Sequence, residues 1–252
     1  VDHPDAMVTA SSLAVVLQQQ GETLARQKRV LGEEHRSTLA VASSLAIVLQ
    51  QLGELSEAAR LGRETLARQS RVLGDDHPDT LGIAGNLAMV LQQQGELPEA
   101  ARLCRETLAR QMRVLGEGHR STMVTASNLA AVLQQQGELP EAARLGRETL
   151  AWQSRVLGGD HPDTLVTACI LAGVLQQQGE LPEAAHLCRE TLARQRRVVG
   201  EEHRSTMVTA SNLAAVLQQQ GELTEATQLG RETLAGHSFV SRHCGRAGRS
   251  FV

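Results

Sequence analysis

The chain has 252 residues, 41% of them hydrophobic, yet it holds one Trp, two Phe and no Tyr. That apolar content is too high for a chain disordered by low hydrophobicity, and three aromatics argue against base-stacking nucleic-acid modules. With 25 Lys and Arg against 28 Asp and Glu, the net charge of −3 sets up no strong field toward phosphate backbones or anionic membranes.

The elements recur. Histidines stand at His3, His35, His77, His119, His161 and His203, spaced by 32 and then repeatedly by 42 residues. This spacing predicts a truncated first repeat over 1–34, four complete units over 35–202, a last partial unit over 203–235 and a non-repeat tail over 236–252. HPD and HRST units alternate, so a period of 84 lies over the first. Segments 119–151 and 203–235 differ only at Pro140/Thr224, Ala143/Thr227 and Arg144/Gln228, which suggests growth by copying two-repeat blocks.

The first repeat lacks the ten residues that correspond to Glu54–Arg63. The missing turn predicts one merged helix from about Thr9 to Leu31 with Gly21 inside it. A kink near Gly21 followed by a short second helix is the alternative. Each complete unit reads as two helices. In the unit starting at His77, Leu81, Ala84, Leu87, Ala88 and Leu91 recur at helical spacing from about Asp79 to Gln94. Pro78 suits the first helical turn, and Gly95 is placed to end the helix. The second helix is predicted from Pro98, with Ala100, Leu103, Thr107, Leu108, Val114 and Leu115 facing inward, and Gly116 stops it. A turn of about three residues makes the two helices antiparallel neighbours. Neither buries its apolar face alone, so units must stack into an all-α array of helix pairs. The tail beyond Ala235 carries Arg242, Arg246 and Arg249. Disorder is its predicted state, with a basic contact site as the alternative.

The pattern NLAxVLxxxGELPEAxxLxRETLAxQxRVLGxxHPDTL resembles the 42-residue tetratricopeptide (TPR) repeat of kinesin light chains, also found in nephrocystin-like proteins and in NB-ARC and NACHT ATPases. The resemblance covers residues 1–235. It implies an α-solenoid, a right-handed superhelix whose first helices line a concave groove for a peptide or protein segment. Carried over by position, the groove would present Asn86, Met89, Gln92 and Gln93, then Ser127, Asn128, Gln134 and Gln135. Next come Gln176 and Gln177, and finally Ser211, Asn212, Gln218 and Gln219. Ser44 and Ile170 stand where the asparagine would recur. In related proteins this Asn is similar to a clamp on a bound backbone, since an amide both donates and accepts. The competing reading bonds it to a neighbouring helix. The Gln runs read either as solvated helix ends or as an adaptable hydrogen-bonding floor. So neutral a face does not support a carboxylate clamp, and acidic-motif recognition is disfavoured.

Other chemistry finds weaker ground. The once-per-repeat histidines fall in the turn that opens each first helix, where capping is needed, and a whole repeat separates them, so capping is preferred to metal binding. Cys104, Cys169, Cys188 and Cys244 form no CxxC pair. Cys104 and Cys188 share a position with Gly62, Gly146 and Gly230, which reads as close helix contact. Cys169 would sit on the groove as an inert small residue, with a reactive thiol as the alternative. Trp152 replaces an Arg on an expected outer face. No P-loop or nucleophile motif is present, and no apolar stretch approaches membrane-spanning length. The sequence therefore predicts a non-enzymatic, cytoplasmic interaction scaffold that needs no cofactor or metal and engages neither nucleic acid nor membrane. Uncapped ends leave room for self-association. The alternatives are a ligand-sensing array from a larger STAND-type signalling ATPase and a structural spacer without a groove ligand. With Leu in place of the family's usual Tyr, each interface is expected to bury less surface, giving a modestly stable array that frays from its ends.

Overall fold

The structure, a computed structural model, describes residues 4–231, with side chains from residue 16 onward. Its helices are α1 (Pro4–Leu31), α2 (Arg36–Gln51), α3 (Leu55–Leu73), α4 (Pro78–Gln94), α5 (Leu97–Val114), α6 (Arg120–Gln136), α7 (Leu139–Val156), α8 (Pro162–Gln178), α9 (Leu181–Val198) and α10 (Arg204–Gln220). Residues 223–231 are helical as well, and no strand occurs among the described residues. The tail over 236–252 lies outside them. The fold class is all-α, built from the helix pairs that define an α-solenoid.

Each helix starts and stops for a local reason. At α2, α4, α8 and α10 the histidine before the helix has extended backbone, and its Nδ1 accepts the N–H two residues on, at 3.1–3.2 Å. His119 does the same for Ser121 at 3.2 Å. The histidines thus satisfy N–H groups that a helix start leaves unpaired, a role for which caps contribute about 1 kcal/mol. Pro78 and Pro162 follow in the first turn, where no amide hydrogen is missed. At the far end Gly95 takes the left-handed conformation, φ 81° and ψ 7°, and its N–H reaches back to the Gln92 and Leu91 carbonyls. Only glycine adopts this at little cost.

The chain divides into two compact units, Val1–Val132 and Leu133–Val252. Within the first, each of α1 to α4 packs on the helix after it, and α2 also touches α4. Within the second, α7 packs on α8, α8 on α9 and α9 on α10, while α8 touches α10. The even-numbered helices are therefore neighbours on one side of each unit, and that side is where a site can form.

The merged first helix is present: α1 runs through Gly21 without a break and starts earlier than the sequence suggests, at Pro4. Close approach through small residues is equally direct. A Cβ at Gly62 would lie 3.1 Å from Leu87 Cδ1, and one at Gly146 would lie 3.2 Å from Leu171 Cδ1. Cys104 and Cys188, at the same position of other repeats, are buried. Burial pushes their thiols up to about 12 and about 11. One inward and one outward expectation need correction. Val114 is 44% exposed at the last residue of α5, and half-buried Leu115 takes the inner side of that turn. Trp152 is half-buried rather than set out on an outer face.

Charges tie successive second helices together. Arg63 of α3 bonds Glu96 at 2.7 Å and Glu99 at 2.8 Å beside α5. In the second unit Arg147 reaches Glu180 and Glu183, and Arg189 reaches Glu222 and Glu225. These guanidinium bonds hold Glu99, Glu183 and Glu225 below the usual carboxylate range. All are largely exposed, so each pair adds little to stability.

Candidate functional site

The even-numbered helices carry the residues that the sequence singles out, and in the first unit they enclose two hollows. One, of about 410 Å³, lies between α2 and α4 and is lined by Ala40, Ser43, Gln69, Gly82 and Asn86 among others. The other, of about 290 Å³, lies between α4 and α6 and is lined by Gly82, Gly85, Asn86, Met89, Gln111, Val124, Thr125 and Asn128. Asn86 borders both. Helical spacing explains the convergence: Gly82, Gly85, Asn86 and Met89 fall on one stripe of α4, and Ser121, Val124, Thr125 and Asn128 on the matching stripe of α6.

The asparagine amides are uncommitted. Asn86, Asn128 and Asn212 are half-buried, and among the described residues no hydrogen bond engages their side chains. The reading in which this Asn fastens a neighbouring helix therefore lacks its bond. The serines differ. Ser127 is buried and Ser211 exposed, and each hydroxyl donates to the carbonyl one turn back, Met123 O and Met207 O, at 3.0 Å. Such back-bonding spends the hydroxyl's one hydrogen inside its own helix.

The glutamine runs separate by turn. Gln93, Gln135, Gln177, Gln218 and Gln219 are exposed, whereas Gln92, Gln134 and Gln176 are half-buried. Gln134 lies across Gly173 of α8, its Nε2 within 2.9 Å of where a Cβ would stand. A larger residue there would displace the amide.

Sequence reasoning missed another glutamine row. Gln69, Gln111, Gln153 and Gln195 sit on second helices, all at most 3% exposed, and each leaves its buried Oε1 without a hydrogen-bond partner. Gln69 and Gln111 line the two hollows from beneath. A signal was present: Gln111 stands one turn after Thr107 and three residues after Leu108, both inward positions.

Charge at the site is sparse and balanced. Arg36 at the rim of the first hollow pairs with Asp79 at 3.4 Å. Arg120, on the second, is engaged with another residue. Cys169 lies on the same stripe of α8. Burial raises its thiol above the ordinary range, against smaller opposing effects of bonds with Thr209 and Gln195, so it stays protonated at neutral pH. Among the described residues no three His, Cys, Asp or Glu side chains gather as metal ligands, and no helix is long and apolar enough to cross a membrane. The arrangement offers neutral amides and hydroxyls above shallow hollows. Its chemistry is hydrogen bonding.

Known proteins place this geometry. The tetratricopeptide repeat family profile matches residues 37–108, 79–151, 121–187 and 167–237. No curated protein sequence matches significantly. Among solved structures, a Podosopora anserina chain described as a kinesin light chain with nearly identical TPR-like repeats is 30% identical, with a TM-score of 0.71 over 82% of this chain and 99% of that one. BtubC (BKLC) from P. vanneervenii shares 19% identity and a TM-score of 0.77 over 91% of this chain and 92% of its own. The apo form of RapI shares 11% identity and a TM-score of 0.67 over 91% and 93%, a likeness of fold alone.

Proposed function

The chain belongs to the tetratricopeptide repeat family, and from that premise we propose that it binds an extended peptide or protein segment along its first helices. Repeats of this family generally serve as protein-interaction scaffolds and are generally non-catalytic. The observation that carries the finer reading is the half-buried, unbonded amides of Asn86 and Asn128 in the first unit, with Asn212 at the corresponding repeat position in the second. A carboxamide held by its helix, with neither its donor nor its acceptor spent on the protein, suits the N–H and C=O of a passing backbone. Met89, the half-buried glutamines Gln92, Gln134 and Gln176, and the exposed Gln93, Gln135, Gln177, Gln218 and Gln219 supply adaptable contacts around it. Ser211 lies on the same face, and Ser127 supports it from below. The neutral lining favours an uncharged stretch of partner, in cytoplasmic surroundings. The division into a truncated repeat over 1–34, complete units over 35–202, a partial unit over 203–235 and a tail over 236–252 belongs to the same reading.

The test is Asn128→Ala. Loss of amide bonds to a bound backbone should weaken peptide binding about 5- to 10-fold, at about 1 kcal/mol per hydrogen bond. The thermal midpoint should hardly move, because no protein hydrogen bond is broken. A large drop in stability, with no specific peptide bound by the parent chain, would favour a spacer.

A further inference from the structure

One position of the first helices acts as a hydrogen-bonding hub, and one repeat lacks it. The position is occupied by Ser43, Gly85, Ser127, Cys169 and Ser211. Where Cys169 stands, its sulfur meets Thr209 Oγ1 at 3.2 Å and Gln195 Nε2 at 4.0 Å. Where Ser43 stands, its hydroxyl accepts from Gln69 Nε2 at 3.5 Å. At Cys169 a small polar side chain on one first helix thus links the buried Gln of its own second helix to the next first helix, and at Ser43 it engages that Gln.

Gly85 supplies no such atom. The counterparts of Gln195 and Thr209 are Gln111 and Thr125, and both line the 290 Å³ hollow that opens at Gly85. Gln111 is 2% exposed, and whereas Nε2 of Gln69 and of Gln195 donates to the side chain at this position, no hydrogen bond in the described residues engages the Gln111 amide. Thr125 is 4% exposed and its hydroxyl likewise lacks a protein partner, whereas Thr167 and Thr209 bond back to Asp163 and Ser205. A buried polar group left unmatched calls for an explanation. Steric need does not give one: a Cβ at Gly85 would have Thr125 Oγ1 at 3.8 Å as its nearest neighbour, an ordinary contact.

We propose that this hollow is a side-chain pocket for a serine or threonine of the bound segment, whose hydroxyl takes the place that Cys169 and Ser43 fill in other repeats. The inference rests on the peptide-binding reading and names a residue the segment must carry. The hydroxyl accepts from the Gln111 amide and exchanges a hydrogen bond with Thr125. Asn86 and Asn128, at the rim of the same hollow, hold the backbone on either side. A hydroxyl suits the pocket better than an aliphatic group because it has both a donor and an acceptor, and the neutral amide beneath gives a carboxylate no counter-charge.

The experiment selects a phage-displayed library of randomised twelve-residue peptides on the full chain, then repeats the selection on Gly85→Ser. The expected result is enrichment of Ser or Thr at one position. Replacement of that residue by Ala should weaken binding about 5-fold, the worth of one net hydrogen bond. Gly85→Ser fills the pocket with its own hydroxyl and should erase the preference while melting no lower than the parent. Thr125→Val should narrow it. Selected peptides without a hydroxyl preference, or a preference that survives Gly85→Ser, overturn the pocket and leave groove binding standing provided the same peptides still lose affinity on Asn128→Ala. A selection that enriches nothing overturns both.

Discussion

Two complete repeats, 77–118 and 161–202, share a frame and differ on its inner face. His77 and His161 each cap their helix through an N–H at 3.1 Å. The helices α4 and α8 that follow have 17 residues each, and Gly95 and Gly179 end them at φ 81° and 82° with ψ 7°. Arg113 and Arg197 each reach the linker acid, Asp76 and Asp160, at 2.7 Å. On the inner stripe Gly85, Asn86 and Met89 stand against Cys169, Ile170 and Gly173. Caps and interhelix contacts are held to one pattern in both places while neighbouring positions on the same helices vary freely. Five of the differences, Gly82/Val166, Ile83/Thr167, Gly85/Cys169, Asn86/Ile170 and Met89/Gly173, fall on the first helix, and these positions line the two hollows in the first unit.

The comparison can be broken at its frame. Leu91 and Leu175 are fully buried in the two repeats. Truncating either to Ala should cost about 3 kcal/mol, through lost transfer energy and a residual cavity. Denaturant unfolding followed by hydrogen exchange would show near-equal local losses. A twofold disparity would mean that the frames are not equivalent. Gly95→Ala and Gly179→Ala force an L side chain into left-handed backbone, and each should cost about 1 kcal/mol in the same measurement.

Substitutions at the inner stripe sharpen the contrast because they should act with opposite signs. Gly85→Ser relieves a flexible helix residue and supplies a partner for Gln111, so it should raise stability by about 1 kcal/mol. Cys169→Gly removes a bonded side chain and should lower it by a similar amount. Equal signs in calorimetry would refute the hub at this position.

The smallest effect is common to both compact units. Folding holds Glu99, Glu183 and Glu225 below their ordinary value of 4.5 through bonds from Arg63, Arg147 and Arg189. The unfolded chain therefore takes up protons first as pH falls. Stability from these pairs is complete above about 4.5 and declines as acid carries the pH through the lower folded values. A melting series should show a shallow acid limb that flattens in Arg63→Gln, Arg147→Gln, Arg189→Gln; an unchanged limb would assign it to other carboxylates.

Much of this was legible in the sequence because the repeat makes each signal appear several times. The histidine caps, the Gly95 stop and the fused α1 follow from local backbone rules, which one chain segment suffices to apply. Asn86 and Asn128 were legible as surface candidates for the same reason. Gln111 was not, because a glutamine flanked by Arg110 and Met112 looks solvated until its turn is counted from Thr107. Its burial depends on α4 lying over it, which is a tertiary fact. The exposure of Val114 is the mirror case: helical period places it inward, but the helix ends there.

Glycines with positive φ fall at 32, 53, 74, 95, 116, 137, 158, 179, 200 and 221, every 21 residues. A joint so regular makes chain length itself a heritable variable with a fixed step. Gain or loss of one whole 42-residue block leaves every cap, stop and interhelix partner in register, so unequal recombination between copies can lengthen or shorten the array without a folding penalty at the seam. Loss of any other number does not pass silently. The ten residues absent from the first repeat removed one joint and fused two helices into α1. Natural variants of this chain should therefore differ by multiples of 42 in the interior and tolerate irregular lengths only at the ends.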